Sequence, residues 1–180
     1  NAHQIHRHAS TLTRARFTAF GGIDPEQYGA VQKSAGGILD DVPLIQHFEQ
    51  FLEQADADMV ALCSPIRSEQ AGHAIAAMAA GKHVLAEKPM ALTLDELNMI
   101  RDTANDTGRR LWTMLDMVYD PAVNGMKDVV QRGELGEIVQ IFGHKSYPYH
   151  ERRPQDPNVD GGLLMQAGIH ALSLIYHVTG

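Results

Sequence analysis

Residues 81–96 read GKHVLAEKPMALTLDE. The run His83-Val84-Leu85-Ala86 is short and apolar, as a buried strand would be. Glu87-Lys88-Pro89 stops it. Thr93-Leu94-Asp95-Glu96 then carries the pattern of a capping box, in which Thr93 accepts from the amide three residues on and Glu96 reaches back. A charged pair therefore stands where a buried strand ends and shortly before a helix opens. In open α/β sheets, ligands bind outside the carboxyl ends of the strands. A lysine there is a candidate acid, base or charge anchor. The tripeptide alone is a weak signal, because a solvated strand end explains it equally well.

Upstream, residues 58–63 hold another apolar run, stopped by Ser64-Pro65, and residues 69–80 form an alanine-rich helix closed by Gly81. Further back, residues 16–20 read as a buried strand ended by Gly21-Gly22, residues 38–42 as an edge strand, and residues 43–54 as a helix with Leu44, Ile45, Phe48, Phe51 and Leu52 on one side. Asp24 before Pro25 has two readings that stay open: the N-cap of a helix through about Lys33, or an acid that binds ribose hydroxyls past the second strand of a dinucleotide-binding unit. Residues 2–14 read as a short helix. Downstream, the helix from Thr93 runs to about Thr107, Gly108 caps it, and residues 111–115 form the next strand. Strand and helix alternate at βαβ lengths, which predicts an α/β fold with a doubly wound parallel, Rossmann-like sheet. After Pro121 the pattern changes. A helix to about Arg132 precedes a half-wet strand over residues 137–147, a Pro-rich loop over 147–160, and a helix over 162–177. The expected division is 1–120 and 121–180, the second part opening an α+β domain with a large, mostly antiparallel sheet.

With 180 residues, 44% apolar and 21% charged, the chain can bury a sizeable core. A net charge of −7 argues against nucleic acid, and no apolar run approaches a membrane span. One cysteine, Cys63, excludes an intrachain disulfide and fits a reducing compartment, so a cytoplasmic setting is expected. His3, His6 and His8 cluster without a Cys or carboxylate at ligand spacing, and no metal is expected.

Three motifs share one order: the segment from residue 58 through LAEKP to MALTLDEL, the turn Gly133-Glu134-Leu135-Gly136-Glu137-Ile138, and Gly161-Gly162 through His170. Together they resemble the Gfo/Idh/MocA family of nicotinamide-dependent oxidoreductases. The resemblance implies that Lys88 lies beside the nicotinamide and the substrate, with a Lys-Pro bond that is commonly cis. It implies that His170 is the acid/base, or the hydrogen-bond partner, of the hydroxyl being oxidised. Cofactor contacts, to NAD or NADP, would come from Asp24, Ser64, Pro65, Glu87, Lys88 and Pro89. Substrate contacts would come from Lys88, Gln166, His170 and Arg153. The family's Gly-rich phosphate turn, G-x-G-x-x-G, is not among these residues; the resemblance puts it before Asn1, and family members continue beyond the last helix here. A homodimer or homotetramer is implied by resemblance only.

The sequence departs from the common family pattern at four places. Gln166 stands where many members have aspartate. It cannot relay a proton, but its amide can hold a hydroxyl. Ser173 replaces a second frequent aspartate, Ser68 a histidine, and Val118 an arginine. Arg152 and Arg153 fit an acidic substrate or, equally, a solvated basic loop. Two functions remain open: a hydride transfer between a sugar, polyol or related cyclic alcohol and a nicotinamide cofactor, or a cofactor-free binding or scaffold role.

Overall fold

The computed structural model describes residues 5–146, 156 and 161–180. Among the described residues are five short strands, all parallel to their partners. β1 (Phe20–Gly21) pairs with β2 (Leu44–Ile45), and a three-stranded sheet runs in the order β3 (Met59–Leu62), β4 (His83–Ala86), β5 (Leu111–Thr113). Alternate residues of β3 and β4 are buried, because helices cover that face most fully. Val60, Leu62, Val84 and Ala86 are buried against Ala74 and Met78 of α3 (Gln70–Ala79) and Ile100 of α4 (Leu94–Thr107). The small alanines of α3 let that helix approach the sheet closely.

The ends of these helices match the sequence pattern. Thr93 Oγ1 accepts from the Glu96 amide at 3.1 Å, and Glu96 Oε2 accepts from the Leu92 and Thr93 amides at 2.7 and 3.1 Å. Gly108 closes α4 with a positive φ of 65°, the conformation a C-terminal glycine allows. Asp24 caps α1 (Pro25–Ser34), its Oδ1 accepting from the Gln27 amide at 2.8 Å. α5 (Pro121–Gln131) starts at its proline with Asp120 as N-cap.

Several elements differ from the sequence reading. Ile5–Thr11 is a 3-10 helix, and the strand near Phe20 is only two residues long. Residues 38–42 form turns, not an edge strand. The Tyr28 hydroxyl donates to the carbonyls of Leu39 and Val42, and Gln32 Nε2 also donates to Leu39, so those carbonyls are taken by side chains instead of a strand partner. Leu44 and Ile45, placed by spacing in a helix, are β2. The Phe20 amide donates to the Pro43 carbonyl at 2.8 Å, the ladder captures the next residues, and α2 is limited to Phe48–Gln54. Residues 137–146 form no strand, because no other described segment pairs with them; Val139 and Phe142 are 91% and 86% exposed. The large antiparallel sheet is therefore not found among the described residues.

The second part is a helix pair. α6 (Ile169–Thr179) packs against α5, with a hydrogen-bond contact between His177 Nε2 and Asn124 Oδ1 at 3.1 Å. An apolar groove of about 550 Å³ lies between α5, residues 135–141 and Val178, well apart in sequence from the charged turn after β4. No helix among the described residues is long and apolar enough to cross a membrane. No group of three metal-ligating side chains occurs among them either; His6 is buried edge-on to Phe20, and His3 lies outside the described residues.

Candidate active site

The parallel register aligns the carboxyl ends of three strands. Leu62 pairs with Ala86, and Ala86 with Thr113, so Cys63-Ser64-Pro65, Glu87-Lys88-Pro89 and Met114-Leu115 emerge along one edge. Ser64 forms a tight turn at this edge, its Oγ accepting from the Ile66 amide at 3.1 Å. Pro65 and Ile66 are exposed at the rim.

The turn after β4 is buried. Glu87 is fully enclosed, and its Oε2 accepts from the Lys88 amide at 2.6 Å, so one carboxylate oxygen folds back on its own turn. The Lys88–Pro89 peptide is cis. Lys88 is 8% exposed, and its Nζ donates to the Gln166 backbone carbonyl at 2.9 Å and to Gln166 Oε1 at 2.8 Å. A buried ammonium requires such acceptors, because desolvation without them is costly. Burial, together with the neighbouring Glu87 carboxylate, pushes the Cys63 thiol up to about 11.

Gln166 sits in a π-helical turn, Leu164–Gly168, that leads directly into α6. Such wide turns are rare and concentrate at functional sites, where carbonyls depart from the α-helical ladder. The Gln166 carbonyl in this turn accepts from Lys88. One turn later His170 is 4% exposed, and Ser173 Oγ donates to its carbonyl at 2.9 Å. Gly161 brings this helix close to the charged turn. Its φ is +77°, and a Cβ there would lie 2.8 Å from Leu92 Cδ2 and 3.3 Å from Pro89 Cγ. Both the conformation and the space require glycine.

Lys88, Pro89, Gln166 and His170 thus belong to one neighbourhood, with Ser64 and Pro65 on the adjoining strand end. Asp24 follows β1 in the other sheet, exposed, with Oδ1 engaged as a helix cap. Arg152 and Arg153 lie outside the described residues. Ser68 is exposed, and Val118 lies in a 3-10 turn, Asp116–Tyr119. The polar residue that does enter the site from this region is Gln70, which is fully buried and joined to Arg67 by a 3.3 Å hydrogen bond. Its only sequence signal is a long polar side chain opening an alanine-rich helix.

The profile described as an oxidoreductase family with an NAD-binding Rossmann fold matches residues 2–115, and that of the GFO/IDH/MocA C-terminal domain matches residues 123–180. An uncharacterized oxidoreductase from Rhizobium meliloti is 33% identical over 66% of this chain and 36% of its own length. Glucose-6-phosphate 3-dehydrogenase from Bacillus subtilis is 26% identical over 94% of this chain and 48% of its own. The crystal structure of scyllo-inositol dehydrogenase from Lactobacillus casei, with NAD(H) and scyllo-inositol bound, superposes with a TM-score of 0.80 at 21% identity, over 98% of this chain and 52% of that one. The chain spans about half or less of the length of these relatives. By both profiles, it belongs to the Gfo/Idh/MocA oxidoreductase family, whose N-terminal part is an NAD-binding Rossmann fold.

Proposed function

We propose that this chain provides the nicotinamide-facing half of a dehydrogenase that acts on a sugar, polyol or related cyclic alcohol. One observation carries the reading: Lys88, at the carboxyl end of β4, is held through its ammonium by Gln166, one turn before the buried His170. The residues present fit a nicotinamide cofactor, because Ser64-Pro65 and Lys88-Pro89 line the same strand-end edge, where such folds take dinucleotides. When bound, the cofactor supplies the hydride chemistry. The protein's part is to bind, orient and move one proton. Lys88 polarises the substrate hydroxyl, and His170 takes its proton, as an imidazole can. The Gln166 amide holds a hydroxyl and keeps the ammonium in place. Glu87 supports the turn from inside. Asp24 is assigned to the ribose end of the cofactor, NAD or NADP, and Arg153 to the substrate.

The proposed domain division is 1–120 and 121–180. Given a pairing partner outside the described residues, the unpaired residues 137–146 are assigned to a mostly antiparallel sheet, and their exposed Val139 and Phe142 support a covering layer there. A homodimer or homotetramer in the cytoplasm completes the proposal, on the family resemblance.

The test is a screen of inositols, hexoses and sugar phosphates with NAD and NADP on the full-length natural protein, read by absorbance of the reduced nicotinamide. NADH binding, followed by quenching of Trp112, should accompany turnover. Binding no tighter than to an unrelated protein would favour a cofactor-free binding role instead.

A further inference from the structure

Gln70, like Gln166, reaches the charged turn, but it meets the backbone and not the ammonium. Its Nε2 donates to the carbonyl of Glu87 and, at 2.7 Å, to the carbonyl of Pro89. These are the residues immediately before and after Lys88. A side-chain amide has two N–H donors, and here both are spent on the two sides of one residue. The other end of the amide is fixed as well: Gln70 Oε1 accepts from Arg67 Nη1 at 3.3 Å, and the same Nη1 donates to the Ser64 carbonyl. Arg67 has no acceptor, so it sets which end of the amide faces the turn. Arg67, Gln70 and Glu87 are all buried, so the network is shielded from competing water. One chain of hydrogen bonds therefore joins the exit of β3 to the exit of β4 and grips the backbone on both sides of the lysine.

We propose that Gln70, oriented by Arg67, is a positioning residue that aims the Lys88 ammonium into the crevice. This rests on Lys88 having the role proposed above. Gln70 touches neither substrate nor cofactor; it acts on the peptide units that carry Lys88. Gln166 takes up the ammonium, and Gln70 sets where the stem starts. A methionine at 70 would keep the length and much of the volume but lose both donors. A glutamate would turn lone pairs on two carbonyls.

The test reads Lys88 directly. Full-length protein is treated with dinitrofluorobenzene across a pH series, and labelling is measured by peptide mass spectrometry with the exposed Lys33 as internal standard. Gln70→Met should raise Lys88 labelling about tenfold relative to Lys33 and move its pH midpoint, since the ammonium loses its fixed surroundings. Met78→Ala, in the same helix and fully buried, should destabilise the fold without changing Lys88 labelling. Unchanged Lys88 labelling in Gln70→Met, or an equal change in Met78→Ala, overturns the proposal. Should Gln70→Met not fold, side-chain amide exchange in the wild type decides. Exchange at Gln70 about a hundredfold slower than at the exposed Gln46 supports the grip, and equal rates overturn it. Neither measurement needs turnover. A protein that shows the labelling contrast but oxidises no alcohol would refute the dehydrogenase reading and leave the positioning intact.

Discussion

The ammonium of Lys88 meets both oxygens of Gln166, one from the backbone and one from the side chain, across 78 positions of sequence. The two residues sit on opposite sides of the proposed domain division. The contact therefore joins a strand end of the first part to the π-helical turn of the second.

Lys88→Ala should remove that contact and the group proposed to polarise the alcohol. In the full-length enzyme kcat should fall about 10²–10⁴-fold, the range typical of proton-transfer groups. Far-ultraviolet circular dichroism should be unchanged. A variant that kept most of its turnover would reject the role given to Lys88.

Gly161 and Gly162 offer a paired test. Both have positive φ, 77° and 78°, but only at Gly161 would a Cβ strike neighbours. Gly162→Ala should cost about 1 kcal/mol from backbone conformation alone. Gly161→Ala should cost more, and it should also weaken turnover by pushing the helix that carries Gln166 off Pro89 and Leu92. Urea unfolding of both variants, with kcat beside it, checks this; equal costs and equal kcat would show the close approach to be unimportant.

Thr93→Ala should destabilise by about 1 kcal/mol, the usual cost of an N-cap. Glu96→Ala should act similarly, because Glu96 Oε2 serves two amides, those of Leu92 and Thr93. The double variant should cost less than the sum, since each single change already breaks the box. Denaturation midpoints measure all three.

Cys63 makes stability fall at alkaline pH. Its folded pKa, about 11, is raised above the ordinary 9.0 by burial first and by the Glu87 charge second. The unfolded chain then loses its proton at lower pH than the folded one. The thiol's contribution is complete below pH 9.0 and lost between there and about 11, at about 3 kcal/mol in full. Cys63→Ala should flatten that part of the stability curve. Iodoacetamide should modify native Cys63 slowly at pH 8 and quickly in urea; fast native modification would contradict the burial.

The parts of the fold written in local chemistry were legible in the sequence. Thr93 and Glu96 announce a helix start because the capping box is made entirely within four residues. Asp24-Pro25 and Gly108 act in the same way. What depends on distant partners was not legible. Leu44 and Ile45 fit a helical stripe with Phe48 and Phe51, and only pairing with Phe20 and Gly21 makes them a strand. Residues 137–146 alternate like a strand but have no described neighbour to pair with. At the site, Lys88 and His170 stand in recognisable motifs. Gln70 does not, because its partners are backbone carbonyls 17 and 19 positions away, and carbonyls carry no sequence signature.

The pairing of β4 has a further effect. Val84 and Ala86 both have no exposure, flanked by β3 on one side and β5 on the other. Successive strand residues face opposite ways, so a slip of one position would expose these two and turn every following side chain over. The core thus proofreads the site: the same alignment that keeps Val84 and Ala86 dry decides that an ammonium, and not a carboxylate, leaves the strand end towards Gln166.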